Sequence, residues 1–339
     1  MNKLLTTAPQ DAAVSCQLPT FPYVNNNNLQ NFDPGFTSVA VFGDSFSDMD
    51  NVYFASDGNA PGNHSFDGRY SDGRVWIEYL ASYFDLHTEI NNYAWGGATV
   101  NNSYIPSYST YLEGPVPGVI DQVSTYISEI DDGSIANTLH VLWAGYNDYW
   151  YFAYDNITDS DDEMVSLSPV YQNVTRSIKN IMESLYSAGA RKFMVGNVPN
   201  MTQMPEALSR SKKIHQSYDV LVKGHNKELS TILTNFGATN PDTTIYTFDA
   251  FNALQCIDFQ KNLLGFLNVQ DACYPSPDAP CNNIFSFKFW DNYHFTTHSH
   301  NVIAGTAIQS IFEGSTQRNT KHTKTKHNTR QKSPKVKKN

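Results

Sequence analysis

The chain has 339 residues, 40% hydrophobic and 17% charged, which suits a globular protein of one large domain or two small ones. No apolar run approaches the roughly 18 residues of a membrane-spanning helix. Net charge is −10, but residues 315–339 hold nine Lys/Arg and no Asp/Glu; the remainder, with 14 basic against 33 acidic residues, carries −19, which argues against nucleic acid as the main partner.

Residues 1–34 are polar and Asn-rich ("YVNNNNLQNFDPG") and read as a loosely attached arm. Their start, "MNKLLTTAPQDAAVS", offers only a two-leucine stub, short of the roughly 7–15-residue core of a secretory signal. "SVAVFG" (38–43) is then a short interior strand with no polar face. Behind it, "DSFSDMD" sets two hydroxyls and three carboxylates where that strand ends, the edge at which open α/β sheets bind ligands. "GRVWIEYLASYF" and "GVIDQVSTYISEI" have helical spacing, and "TLHVLWAG" is a second apolar strand. Residues 168–190 form a helix opened by Ser168-Pro169 and stopped by Gly189. "RKFMVGNV" is a third strand, residues 204–237 one long amphipathic helix, "TTIYTFDAF" a fourth strand and "HNVIAGTAIQSIF" a closing helix.

Strands separated by helices pair in parallel, so the expected fold is a three-layer α/β/α sandwich around a mainly parallel sheet, in one domain over residues 35–314. The basic tail, 315–339, has almost nothing apolar to bury and is expected to be disordered and solvated. The alternative is attachment to an anionic membrane surface, at about 1 kcal/mol per basic residue. Four cysteines occur, Cys16, Cys256, Cys273 and Cys281; the last two flank "YPSPDAP", a loop able to close through a disulfide, although sequence does not fix connectivity.

Four polar spots share one pattern. Ser45 follows the first strand, and Gly97 lies in "NNYAWGGATVNN". Asn147 lies in "GYND" after the second strand, and Asp291 with His294 lies in "DNYH" before the last helix. Acyl transfer needs a nucleophile, a base, a group to orient that base, and oxyanion donors. Ser45, His294 and Asp291 can fill the first three roles; the Ser45 and Gly97 N–H groups and the Asn147 amide can fill the fourth. Asp291, His294, His298 and His300 are dense enough to suggest metal ligands, but no second cluster accompanies them, and that reading leaves Ser45 and Asn147 unused.

These blocks resemble the SGNH (GDSL-type) hydrolase family: "FGDSFSD" its nucleophile block, "NYAWGGA" and "GYND" its second and third, "DNYH" its terminal Asp-x-x-His. The resemblance spans about residues 36–312 and is nearest to bacterial secreted lipases, phospholipases A and glycerophospholipid–cholesterol acyltransferases. It implies a flavodoxin-like fold, Ser45, Asp291 and His294 as catalytic residues, and Ser45, Gly97 and Asn147 as the oxyanion hole. It implies no cofactor or metal, and a lipid or other ester as partner with peripheral membrane contact open. The expected function is a serine esterase hydrolysing, or transferring, acyl groups of phospholipids or lysophospholipids; a carbohydrate acetylesterase is the alternative. Secretion is favoured by the resemblance alone. Cys273 to Cys281 resembles the cysteine-bounded loop of some members. Phe46 and Phe295 stand where leucine and proline are usual, so both are expected to alter pocket shape. No Gly-x-Ser-x-Gly elbow occurs, against an α/β-hydrolase source for the serine.

Overall fold

The computed structural model describes residues 32–130, 133–158, 166–275 and 279–330, the last sixteen of these by backbone alone. The expected arm, residues 1–34, therefore lies almost wholly outside the described residues. Five strands form one all-parallel sheet: β1 (Ser38–Gly43), β2 (Ile90–Asn92), β3 (Thr138–Trp143), β4 (Lys192–Gly196) and β5 (Thr244–Phe248), in the order β2-β1-β3-β4-β5. That is the flavodoxin-like order, whose switch point falls between β1 and β3. β1 and β3 run in register from Ser38↔Thr138 to Gly43↔Trp143, so their following loops leave side by side.

Strand pleating sends alternate side chains to opposite faces. Phe42 and Phe193 meet Tyr126 and Phe236 at 5.3 and 5.6 Å, on α3 (Val119–Glu129) and α7 (Lys212–Thr239). Between them lies α5 (Ser168–Ser187). Trp143 and Phe248 meet Trp76 at 5.5 and 4.6 Å on the opposite face, covered by α2 (Trp76–Tyr83) and α10 (Thr297–Arg330). The result is the three-layer α/β/α sandwich. Shorter helices are α1 (Asn51–Ala55), α4 (Tyr146–Asn156), α6 (Pro205–Leu208), α8 (Ala250–Phe259) and α9 (Lys261–Leu264).

Several expectations needed correction. The single helix over 204–237 is two, α6 and α7, because the Ser211 hydroxyl accepts the Ile214 N–H and caps a new start. The segment expected to be disordered from 315 continues α10 as far as Arg330. No proline interrupts the chain between Thr297 and Pro334. Residues 331–339 lie outside the described residues. A small parallel pair, β6 (Asn268–Ala272) and β7 (Phe287–Phe289), had no clear signal. Cys273 and Cys281 are joined by a disulfide beside it, and the Cys273 and Tyr274 N–H groups donate to Phe289 and Trp290 carbonyls.

Candidate active site

Ser45 sits in the turn after β1, held by Ser47 and Asp48 N–H bonds to the Asp44 carbonyl, both 2.9 Å. Its hydroxyl lies 2.9 Å from Nε2 of His294. Nδ1 of His294 lies 2.8 Å from each Asp291 carboxylate oxygen. Asp291 Oδ1 also accepts the N–H groups of Tyr293 and His294 at 2.8 Å, so the four-residue loop fixes its own carboxylate. β7 delivers that loop, and the Trp290 N–H closes it on the His294 carbonyl at 2.8 Å. A proton can thus pass from Ser45 to an imidazole whose other nitrogen is held by a carboxylate.

Gly97 and Asn147 line the same cavity of about 320 Å³ as Ser45 and His294. Gly97 has φ +84°, and a Cβ there would fall 1.9 Å from the Tyr108 carbonyl oxygen, so only glycine fits. Among the described residues, no protein group accepts from the Ser45 or Gly97 N–H. Asn147, in the first turn of α4, donates one amide proton to the Ala98 carbonyl at 2.9 Å, leaving the other for a ligand. The arrangement offers three donors around one position.

Two buried carboxylates that sequence reasoning did not assign hold these loops together. Asp48 Oδ2 accepts the Gly96 N–H at 2.8 Å, and its Oδ1 accepts those of Asp50 and Asn51 at 3.0 and 2.8 Å. Burial nonetheless pushes its pKa up to about 7. Asp148 accepts the Val100 N–H at 3.1 and 3.2 Å, tying α4 to the far end of the glycine loop. Asp44 is buried beside Ser45; Oδ1 accepts the Phe46 N–H at 3.0 Å, and Oδ2 has no hydrogen-bond partner among the described residues.

Burial pushes the Asp44 carboxyl up to about 7, above its ordinary unfolded value of about 4. The native state then holds this proton more tightly, so the group's contribution to stability falls as pH rises from about 4 to about 7 and is level above. Asp44→Asn is expected to flatten that fall. Urea midpoints at about pH 5 and about pH 8 should drop less in the variant than in the wild type, and equal drops would contradict the assignment.

Phe46 and Phe295 do not shape the cavity as expected, since neither lines it. They pack 5.0 Å apart beneath the site, with the Phe46 ring 6.2 Å from the His294 ring, and so support the imidazole from behind. The possible ligand cluster does not converge either. His298 stacks between Phe266 and Phe285 at 4.1 and 3.8 Å, and His300 is fully buried. Among the described residues no three His, Cys, Asp or Glu side chains share a metal position.

At the switch point of a flavodoxin-like sandwich this chain aligns a serine, an imidazole and a carboxylate in the order that acyl transfer requires. Its family follows directly: residues 39–305 match the model of the GDSL-like lipase/acylhydrolase family, and the chain is a member of it. It is 25% identical to a GDSL esterase/lipase of Arabidopsis thaliana, over 85% of this chain and 93% of that one. A phosphatidylcholine-sterol acyltransferase of Aeromonas hydrophila is 26% identical, over 71% of this chain and 66% of the relative, so about a third of that protein has no counterpart in the match. An acetylesterase of Thermothelomyces thermophilus is 28% identical, over 82% and 88%.

Proposed function

We propose that the protein is a serine esterase acting on the acyl esters of phospholipids or lysophospholipids. The observation that carries the catalytic part is the unbroken chain of hydrogen bonds Ser45–His294–Asp291. Ser45 Oγ attacks the ester carbonyl carbon as His294 Nε2 takes its proton, and Asp291 stabilises the imidazolium. The Ser45 and Gly97 N–H groups and the Asn147 amide bind the oxyanion. Collapse breaks the carbon–oxygen bond to the alcohol, whose oxygen receives the proton from His294. Water then attacks the acyl-serine, giving one proton to His294, which returns it to Ser45. A second alcohol in place of water gives acyl transfer.

Asn147→Ala removes one oxyanion donor and is expected to lower kcat on a p-nitrophenyl ester by about 10²–10³-fold with KM little changed. A kcat within about threefold of wild type would remove Asn147 from the oxyanion hole.

The lipid reading is supported by the cavity walls, where Tyr146, Trp150 and Tyr151 surround the serine and, among the described residues, no Lys or Arg is present. The relative named for phosphatidylcholine supports it as well. The acetylesterase relative favours a second reading, a carbohydrate acetylesterase using the same residues. Fatty-acid release from lysophosphatidylcholine, compared with acetate release from acetylated xylan, separates them. The lipid reading expects the first to dominate; acetate release without lysophospholipid turnover would overturn it.

A further inference from the structure

Beside the cavity that holds Ser45 lies a second, of about 550 Å³. Pro61, Tyr111 and Tyr293 line both, so the two are contiguous. The second is bounded by Asp291 and Asn292, from the loop that carries the imidazole, and on its other walls by Asn59, Asn63, His64 and Tyr274. Its rings are braced from behind: Tyr274 stacks on Trp290 at 5.1 Å, and Tyr293 meets Trp150 edge-on at 5.3 Å.

Resting on the esterase reading above, we propose that this second cavity receives the alcohol half of the ester and selects a net-neutral polar headgroup, zwitterionic or hydroxyl-bearing, over an anionic one. The leaving oxygen must lie at His294 Nε2, because the proton that completes its departure comes from there. The rest of the alcohol therefore extends along the imidazole's own loop, which is a wall of this cavity. Besides the Asp291 carboxylate, its polar groups are the Asn59, Asn63 and Asn292 amides, the His64 imidazole and the hydroxyls of Tyr111, Tyr274 and Tyr293, and its ring faces attract a quaternary ammonium. Among the described residues no Lys or Arg lines it, and the Asp291 side chain, 27% exposed, borders it. An anionic headgroup finds like charge there and, among the described residues, no lysine or arginine as counter-ion, in a body that is itself acidic.

The test uses lysophosphatidylcholine and lysophosphatidylglycerol of one acyl chain, with p-nitrophenyl butyrate as a substrate too small to need the second cavity. Wild type should favour the choline lipid by at least about fivefold in kcat/KM. Asn63→Lys adds a cation at the wall and should narrow that ratio by about threefold. Tyr274→Ala should raise KM for lysophosphatidylcholine by about fivefold, and Tyr274→Phe should restore it. All three variants should leave p-nitrophenyl butyrate turnover unchanged, which also reports that they fold. Equal turnover of the two lysolipids, with a ratio and KM unmoved by the variants, overturns the subsite while the esterase reading stands. Turnover of p-nitrophenyl butyrate with none of either lysolipid overturns the subsite together with the lipid reading. Loss of p-nitrophenyl turnover is the separate signature sought from Ser45→Ala, which bears on the catalytic reading alone.

Discussion

Ser45→Ala is expected to lower kcat on a p-nitrophenyl ester by about 10⁴–10⁶-fold, the range for losing a nucleophile that works as a unit with its base. The variant should remain folded. Ser45 is in a turn after β1, and what its hydroxyl contributes is one hydrogen bond to His294, about 1 kcal/mol. Because the two side chains act together, adding His294→Ala to Ser45→Ala should cost almost nothing more. Circular dichroism and a urea midpoint check the fold. Turnover within about tenfold of wild type would take the serine out of the mechanism.

Asp291→Asn is expected to cost about 10⁴-fold in kcat with little change in stability. The Asp291 Oδ1 accepts the Tyr293 and His294 N–H groups as well as facing Nδ1. An amide would keep its oxygen on those two donors and turn its NH₂ toward the imidazole. Nδ1 must then accept, so the ring proton moves to Nε2 and points at Ser45. An imidazole in that tautomer cannot take the serine proton. A kcat within about tenfold of wild type would show that the carboxylate only braces the loop, and would assign orientation of the base to another group.

The parts of this molecule that were legible in the sequence are those whose residues are buried on both faces or chemically distinctive. β1, β3 and β4 read as apolar runs because the sheet is covered on both sides, whereas the edge strand β5, with Thr247 exposed, read as a strand from its β-branched and aromatic residues. β2 did not, since "INN" is a three-residue edge strand with no apolar pattern. The α6–α7 break hid inside a helical period because its cause is local, a serine hydroxyl competing for a backbone N–H. Ser45, Gly97, Asn147, Asp291 and His294 were visible as small or polar residues at strand or helix ends; parallel pairing brings the loops after β1, β2 and β3 to one edge, and β7, outside that sheet, delivers Asp291 and His294 to it. Asp48 and Asp148 were not, although their carboxylates join loops 48 residues apart in each case. A buried acid that accepts backbone N–H groups leaves no periodic or compositional mark. Phe46 and Phe295, expected to alter the pocket because they replace the family's usual leucine and proline, pack against each other and do not line it.

Mass spectrometry of the protein after a fluorophosphonate probe tests the mechanism at its root, because the reagent modifies only a serine made nucleophilic by its neighbours. A single adduct is predicted, mapped by peptide fragmentation to Ser45 and lost in His294→Ala. An unmodified Ser45 in folded protein, or an adduct carried by a different serine, would contradict the account.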